Sequence, residues 1–481
     1  MVFSSSLFLC FFLPVFFGLY FLADKRYKNT VLVLGSCIFY AWGAPKFIFV
    51  ILGTTLLDYF LVKRMYQLED HKSRLLFLIC SISVNLGLLI YFKYSNFFIE
   101  NVNAVLGNFN KGPIKWTELI LPIGISFYTF ETLTYVIDVY RRVHKPLDNF
   151  KDYLLYIILF PKLIAGPIIR YHEIADQIKD RSSRDTIDYK LTGFYRFCIG
   201  LGKKVLIANT LATLANQVYG AEGVTGIPPD QVSLFTAWVG ALAYTFQLYF
   251  DFSGYSDMAL GLGKMLGFKF PENFNNPYIS SSISDFWRRW HITLGNWMRN
   301  YLYIPLGGNK VNSKMRLYFN LWIVFILSGL WHGAAWSFIL WGVWHGLFLI
   351  LERIFLGKLL LKLPKFIQIS YTFILVTLGW VMFRVENVKD AFHYLKSMFQ
   401  TNEIQVFVNI SKEQWFTGAI ALFFAFFCVF DKGKQIQAKV YADVMSLRLS
   451  SLMAVVSILL FIISLSYITA SGFNPFIYFR F

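Results

Sequence analysis

YLLYIILFPKLIAGPII, residues 153–169, reads as an apolar membrane segment that cannot be one straight helix. Pro161 removes a backbone donor, Lys162 sets a charge among apolar neighbours, and the Gly166-Pro167 pair halts helical continuation. Non-helical backbone survives at membrane depth only where protein or a water-lined cavity satisfies its polar groups. The stretch therefore predicts a broken or re-entrant helix that lines the interior of a polytopic membrane protein.

Working outward, apolar runs recur on both sides. They lie near 7–23, 30–42, 45–62, 75–92 and 116–138 before it, and near 191–218, 232–250, 317–329, 333–352, 367–384, 414–430 and 450–470 after it. At ~20 residues per crossing they predict ~11–13 membrane segments in an all-α protein. The composition agrees: 56% of residues are hydrophobic and 15% charged, which excludes a soluble globular enzyme. The run at 7–23 lacks a basic leader and a small-residue cleavage site, so it reads as a retained span. The formal charge of +17 gathers in loops such as 63–74 and 141–145, which places them on the cytoplasmic side and removes any need for nucleic acid. The five cysteines stand singly, without disulfide or metal-ligand spacing. No internal repeat or linker divides the chain, so 1–481 reads as one integral-membrane domain with its motifs concentrated in 121–346 and a tail at 471–481.

An ionisable side chain in a span costs about 2.5–3.5 kcal/mol on insertion scales, so each one is a functional candidate. YFDFSGYSD (249–257) sets Asp251 and Asp257 at the end of an apolar run, with Gly254 free to bend the backbone. They serve either a site or ion pairs with nearby arginines. SDFWRRWHITLGNWMRNYLYIPLGG (284–308) packs Asp285, Arg289, His291 and Asn296 among three tryptophans. As one helix it would set Asp285 against Arg288 and Arg289, and Trp287 beside His291. An interfacial helix accounts for the Trp and Arg content, leaving His291 as the residue that asks for more. LSGLWHGAAWSFILWGVWHG (327–346) holds His332 in the middle of an apolar stretch. Histidine is the side chain best suited to take and return a proton near neutrality. His345, in a second WHG, reads as structural. The GxSxG elbow, HExxH and the dinucleotide fingerprint are all absent, and His144 and Asp148 have the wrong spacing for a soluble glycerolipid acyltransferase.

FPKLIAGPIIRY (160–171), YFDFSGYSDMALGLGKMLGF (249–268), NFNNPY (273–278), DFWRRWHITLGNWMRNYLYIPLGGN (285–309) and LSGLWHGAAW (327–336), in this order, resemble the membrane-bound O-acyltransferase family. The resemblance is to its bacterial branch that O-acetylates alginate, peptidoglycan and other surface glycans. It implies a helical fold around a central tunnel, with acyl donor entering from the cytosol and acceptor from the far side. It implies catalysis by His332, with His291 as the second site position. Asp251, Asp257, Asp285, Arg289 and Asn296 are candidates for the surrounding shell or for substrate binding. The terminus NPFIYFRF (474–481) resembles the aromatic end of that branch, and Tyr478 is a candidate acyl carrier as a phenolic ester.

The expected activity is O-acetyl transfer from acetyl-CoA toward a polysaccharide such as alginate, in the cytoplasmic membrane. No bound cofactor or metal is expected. The chain lacks a soluble lobe to finish the transfer, so a separate extracytoplasmic acetyltransferase partner is expected, besides membrane lipids. The alternatives are transfer of another acyl unit, such as D-alanine from a carrier-protein thioester to teichoic acid, and a transporter or flippase, which would also need broken helices and buried charge.

Overall fold

The computed structural model describes residues 1–401 and 403–471. The chain is about 74% helical, with no strand among the described residues. It divides into two compact units, Met1–Lys190 with Leu262–Pro271, and Leu191–Gly261 with Glu272–Phe481.

The first unit holds α1 (Leu13–Leu22), α2 (Lys28–Gly43), α3 (Ile48–Gln67), α4 (His71–Asn108), α5 (Ile125–Tyr140), α6 (Phe150–Ile158), α7 (Phe160–Leu163) and α8 (Tyr171–Lys179). Buried polar residues pair across its helices. Asp58 of α3 accepts hydrogen bonds from Ser81 and, at 2.8 Å, from Asn85 of α4. In the polar segment between α8 and α9, Asp185 bridges Lys28 at 2.8 Å and Lys190 at 2.5 Å, and these partners hold its carboxyl down to about 2.

Residues 153–169 are broken as predicted. Helix α6 ends at Ile158, α7 lasts one turn, and buried non-helical backbone follows to Ile169. Its polar groups find protein partners. The Tyr156 hydroxyl lies 2.9 Å from the Ile169 carbonyl and 3.1 Å from that of Glu131. The fully buried Lys162 pairs with the equally buried Glu131, which places a neutralised charge pair beside the break. This is the compensation that irregular backbone at membrane depth requires.

The second unit holds most of α9 (Ile187–Gly202) and of α11 (Leu234–Met265), together with α10 (Asn209–Tyr219), α12 (Ile283–Arg289), α13 (Ile292–Trp297), α14 (Lys314–His332), α15 (Trp336–Leu351), α16 (Gly357–Leu360), α17 (Lys365–Arg384), α18 (Val388–Ser397), α19 (Lys412–Phe426), α20 (Asp431–Val440) and α21 (Leu447–Ser471). A wide π turn over Lys203–Ala208 joins α9 to α10. Helix α11 runs unbroken through 249–257, so Gly254 does not bend it. Gly254 instead brings two backbones together: a Cβ there would sit 2.7 Å from the carbonyl of Gly200 in α9. The α14–α15 hairpin uses the same device, since a Cβ on Gly342 would strike the Phe325 carbonyl.

Each apolar run becomes helix in whole or in part, but five helices among the described residues are long and apolar enough to cross a membrane. A bent pair, Lys412–Val429 with Asp431–Val440 at 100°, makes six. The others are short, broken or polar inside. Helix α11 is 32 residues long yet buries Thr245, Gln247, Asp251, Ser253, Ser256 and Asp257. Protein rather than lipid covers such helices, so apolar length alone overstates the number of plain spans.

Candidate active site

His332 is not in the middle of a helix. The apolar stretch 327–346 folds as a hairpin, and His332 is the last residue of α14, where Gly333 turns extended and the chain re-enters at Trp336. The turn is tight because the Phe338 ring occupies the space a Cβ on Gly333 would need. His332 is 3% exposed and walled by aromatic rings: Trp331 at 4.9 Å, Trp341 at 5.2 Å and Phe383 at 5.3 Å between centroids.

The stretch 284–308, considered as one helix, is interrupted. Helix α12 stops at Arg289, Trp290 is extended, and His291 takes a left-handed conformation (φ 45°, ψ 52°) before α13 begins. Trp287 and His291 therefore do not share a helical face. The left-handed conformation is uncommon for a side-chain-bearing residue and is held here by surrounding contacts. The backbones of 273–275 and 289–292 lie side by side, with Asn275 N–H donating to the Arg289 carbonyl at 2.9 Å and Ile292 N–H to that of Asn273 at 3.0 Å.

This break brings His291, 1% exposed, to 6.4 Å from His332 between ring centroids. His291 also meets the Phe252 ring of α11 edge-on at 4.7 Å and Trp331 at 6.0 Å. Its Nδ1 lies 3.1 Å from Oδ1 of Asn273, an oxygen that also accepts from the Thr293 N–H at 3.2 Å and the Thr293 hydroxyl at 2.9 Å. Two histidines far apart in sequence thus share one aromatic enclosure.

The remaining candidates are distributed differently. Asp285 pairs with Arg288 at 3.6 Å and Arg289 at 3.1 Å, the predicted i,i+3 and i,i+4 contacts, on a partly exposed helix surface. Asn296 is half-buried on α13. Asp251 pairs with Lys204 at 2.7 Å. Asp257 pairs with Arg196 at 2.9 Å and Lys203 at 2.6 Å, and Arg196 also reaches Glu272 at 2.5 Å. Ion pairing is therefore what the structure gives both aspartates, and the partners are basic residues of α9 and its π turn. Arg196, Lys203, Asp257 and Tyr441 line a cavity of about 350 Å³ whose wall includes Ile292, the neighbour of His291. Tyr478 lies outside the described residues.

Sequence reasoning overlooked one residue here. Asn273 sits inside the quoted NFNNPY motif, yet nothing in its chemistry singled it out. His345 is fully buried among Trp287 at 5.0 Å and Trp341 at 5.1 Å, so both His345 and His332 pack against Trp341.

Residues 141–389 match the model of MBOAT, the membrane-bound O-acyltransferase family. The chain belongs to this family. The match runs through both units and covers the whole aromatic enclosure. The O-acyltransferase is 42% identical over 498 residues to a probable alginate O-acetylase of Pseudomonas putida, with 100% of each chain covered. It is 36% identical over 447 residues to a peptidoglycan O-acetyltransferase of Helicobacter pylori, covering 86% of this chain and 82% of the relative. A teichoic acid D-alanyltransferase of Bacillus subtilis is 30% identical over 225 residues, covering 45% of this chain and 55% of the relative. The chain is therefore a multi-pass membrane acyltransferase, and the transporter alternative falls.

Proposed function

We propose that this O-acyltransferase takes an acetyl group from acetyl-CoA on the cytoplasmic side of a cytoplasmic membrane and passes it toward an extracytoplasmic polysaccharide such as alginate. The approach of His291 and His332 to 6.4 Å inside a buried aromatic enclosure carries this reading. The relatives named for alginate and peptidoglycan O-acetylation supply the acyl unit and the acceptor class.

In the proposed chemistry, an acceptor hydroxyl oxygen attacks the thioester carbonyl carbon while His332 takes the hydroxyl proton. The C–S bond then breaks, and the proton passes to the departing thiolate to give free CoA. The imidazolium formed on the way sits at the C-terminal end of α14, where the helix's partial negative charge stabilises it. The walls of Trp331, Trp341 and Phe383 exclude water, which strengthens each polar interaction inside and suppresses hydrolysis of the thioester. His291 orients the donor or acceptor. The cavity lined by Arg196, Lys203 and Asp257 seats part of the donor, with Asp251 behind it, while Asp285, Arg289 and Asn296 support the loop that carries His291.

Tyr478 is proposed to carry the acetyl group as a phenolic ester to a separate extracytoplasmic acetyltransferase. The test is acetyl-CoA labelled in the acetyl group, supplied to the detergent-purified full chain, with free CoA and protein-bound label both followed. Wild type is expected to release CoA and retain label, Tyr478→Phe to lose the retained label, and His332→Ala to lose both. Equal label on wild type and Tyr478→Phe removes the carrier. The similarity to a D-alanyltransferase favours a second reading, transfer from a carrier-protein thioester. Turnover of D-alanyl carrier protein without turnover of acetyl-CoA would select it.

A further inference from the structure

Asn273 presents one oxygen to three groups. The Thr293 backbone N–H can only donate, so the atom it meets is the amide oxygen of Asn273, and the amide cannot be flipped without losing that bond and the one from the Thr293 hydroxyl. His291 Nδ1 faces the same oxygen at 3.1 Å, and an acceptor can be met there only by N–H. In the neutral imidazole the proton is therefore on Nδ1 and the lone pair on Nε2. The Nε2 atom is buried and has no hydrogen-bond partner among the described residues, as is the Nδ2 amide of Asn273. Two polar atoms of one hydrogen-bonded pair are thus enclosed without a protein partner, a costly arrangement that a bound substrate's polar groups relieve.

The local backbone is built around this contact. Ile292 N–H donates to the Asn273 carbonyl at 3.0 Å, and Asn275 N–H to the Arg289 carbonyl at 2.9 Å, so both flanks of His291 are tied to the 273–275 segment. The left-handed turn at His291 points the same way, because a strained conformation persists only where neighbouring bonds over-determine it. A purely structural asparagine needs the Thr293 bonds alone, whereas this one also specifies which imidazole nitrogen is bare.

We infer that Asn273 is a positioning residue of the acyl transfer: it fixes His291 in the Nδ1–H tautomer and holds its bare Nε2 ready to accept a hydrogen bond from substrate. The inference rests on the proposed role of His291. In a histidine–carboxylate–serine triad the orienting group does the same, and the wrong tautomer there is severely disabling although the geometry survives. Here the orienting oxygen is an amide, so it sets the tautomer without adding a negative charge.

The test compares wild type, His291→Ala, Asn273→Ala and Asn273→Asp as full chains in detergent, measuring CoA release from acetyl-CoA across pH. Asn273→Ala is expected to lower kcat about 10- to 100-fold with KM for acetyl-CoA nearly unchanged. Asn273→Asp keeps the acceptor, so it restores most of kcat, but its carboxylate stabilises the imidazolium and moves the acidic limb of the pH profile upward. 15N spectra of histidine-labelled protein, with His291 assigned by its loss in His291→Ala, are expected to show Nδ1–H in wild type and mixed tautomers in Asn273→Ala. The spectra read the tautomer independently of turnover. An inactive His291→Ala alongside an Asn273→Ala with wild-type kcat and tautomer overturns the inference. So does an Asn273→Asp profile that does not move. A fully active His291→Ala overturns the role of His291 itself, which is a separate and distinguishable failure.

Discussion

His332→Ala is expected to lower CoA release by about 10²–10⁴-fold, the contribution of a positioned general base, while leaving the folded yield close to wild type. The fold should tolerate the change because the rings around it also pack on one another, Trp341 on Trp287 and Trp380, and Phe383 on Phe338. Loss of the ring opens a cavity beside Trp341 and Phe383, which costs stability but does not disconnect the hairpin. The decisive comparison is His345→Ala. That ring is also fully buried, and it packs against the same tryptophan. If catalysis belongs to His332, the two substitutions cost similar stability but differ widely in turnover. Equal losses of turnover would mean that the cluster acts through packing and that His332 holds no proton.

Asp257→Ala is expected to cost stability first and activity second. It strips Lys203 of its carboxylate and leaves Arg196 with the more exposed Glu272 as its acidic partner, at a buried junction of α9, its π turn and α11. Breaking a buried pair from one side costs about 3–5 kcal/mol, because the partner charge stays behind. Thermal unfolding of the purified protein measures the loss. The double variant Asp257→Ala with Lys203→Met should recover much of it, since removing both charges also removes the desolvation penalty. A single variant of wild-type stability but without turnover would instead give Asp257 a direct part in substrate binding.

The parts of the fold legible in the sequence were those with a local cause. Pro161 and Gly166-Pro167 foretold the break, which falls at Leu159 and again after Leu163, and the cost of an ionisable group among apolar residues singled out His332 and His291. The partners of the two aspartates were not legible in the same way. Arg196 and Lys203 lie 61 and 54 residues from Asp257, so the ion-pair alternative could be stated but its partners could not be named. The break at His291 had no glycine or proline to announce it, because it is imposed by hydrogen bonds from 273–275. Asn273 was hidden for a related reason: an asparagine in a loop carries no insertion cost, and its importance comes from what folding places against its oxygen.

The ion pairs between α9, its π turn and α11 also bear on how the chain is made. Arg196, Lys203 and Lys204 are synthesised before Asp251 and Asp257, and the segment that carries them, Ile187–Tyr219, is the least apolar of the five long helices. On leaving the ribosome it bears cations with no carboxylate of α11 yet available. Lipid is a poor resting place for it alone. Its cations meet their carboxylates only when α11 follows, so their neutralisation waits on the order of translation.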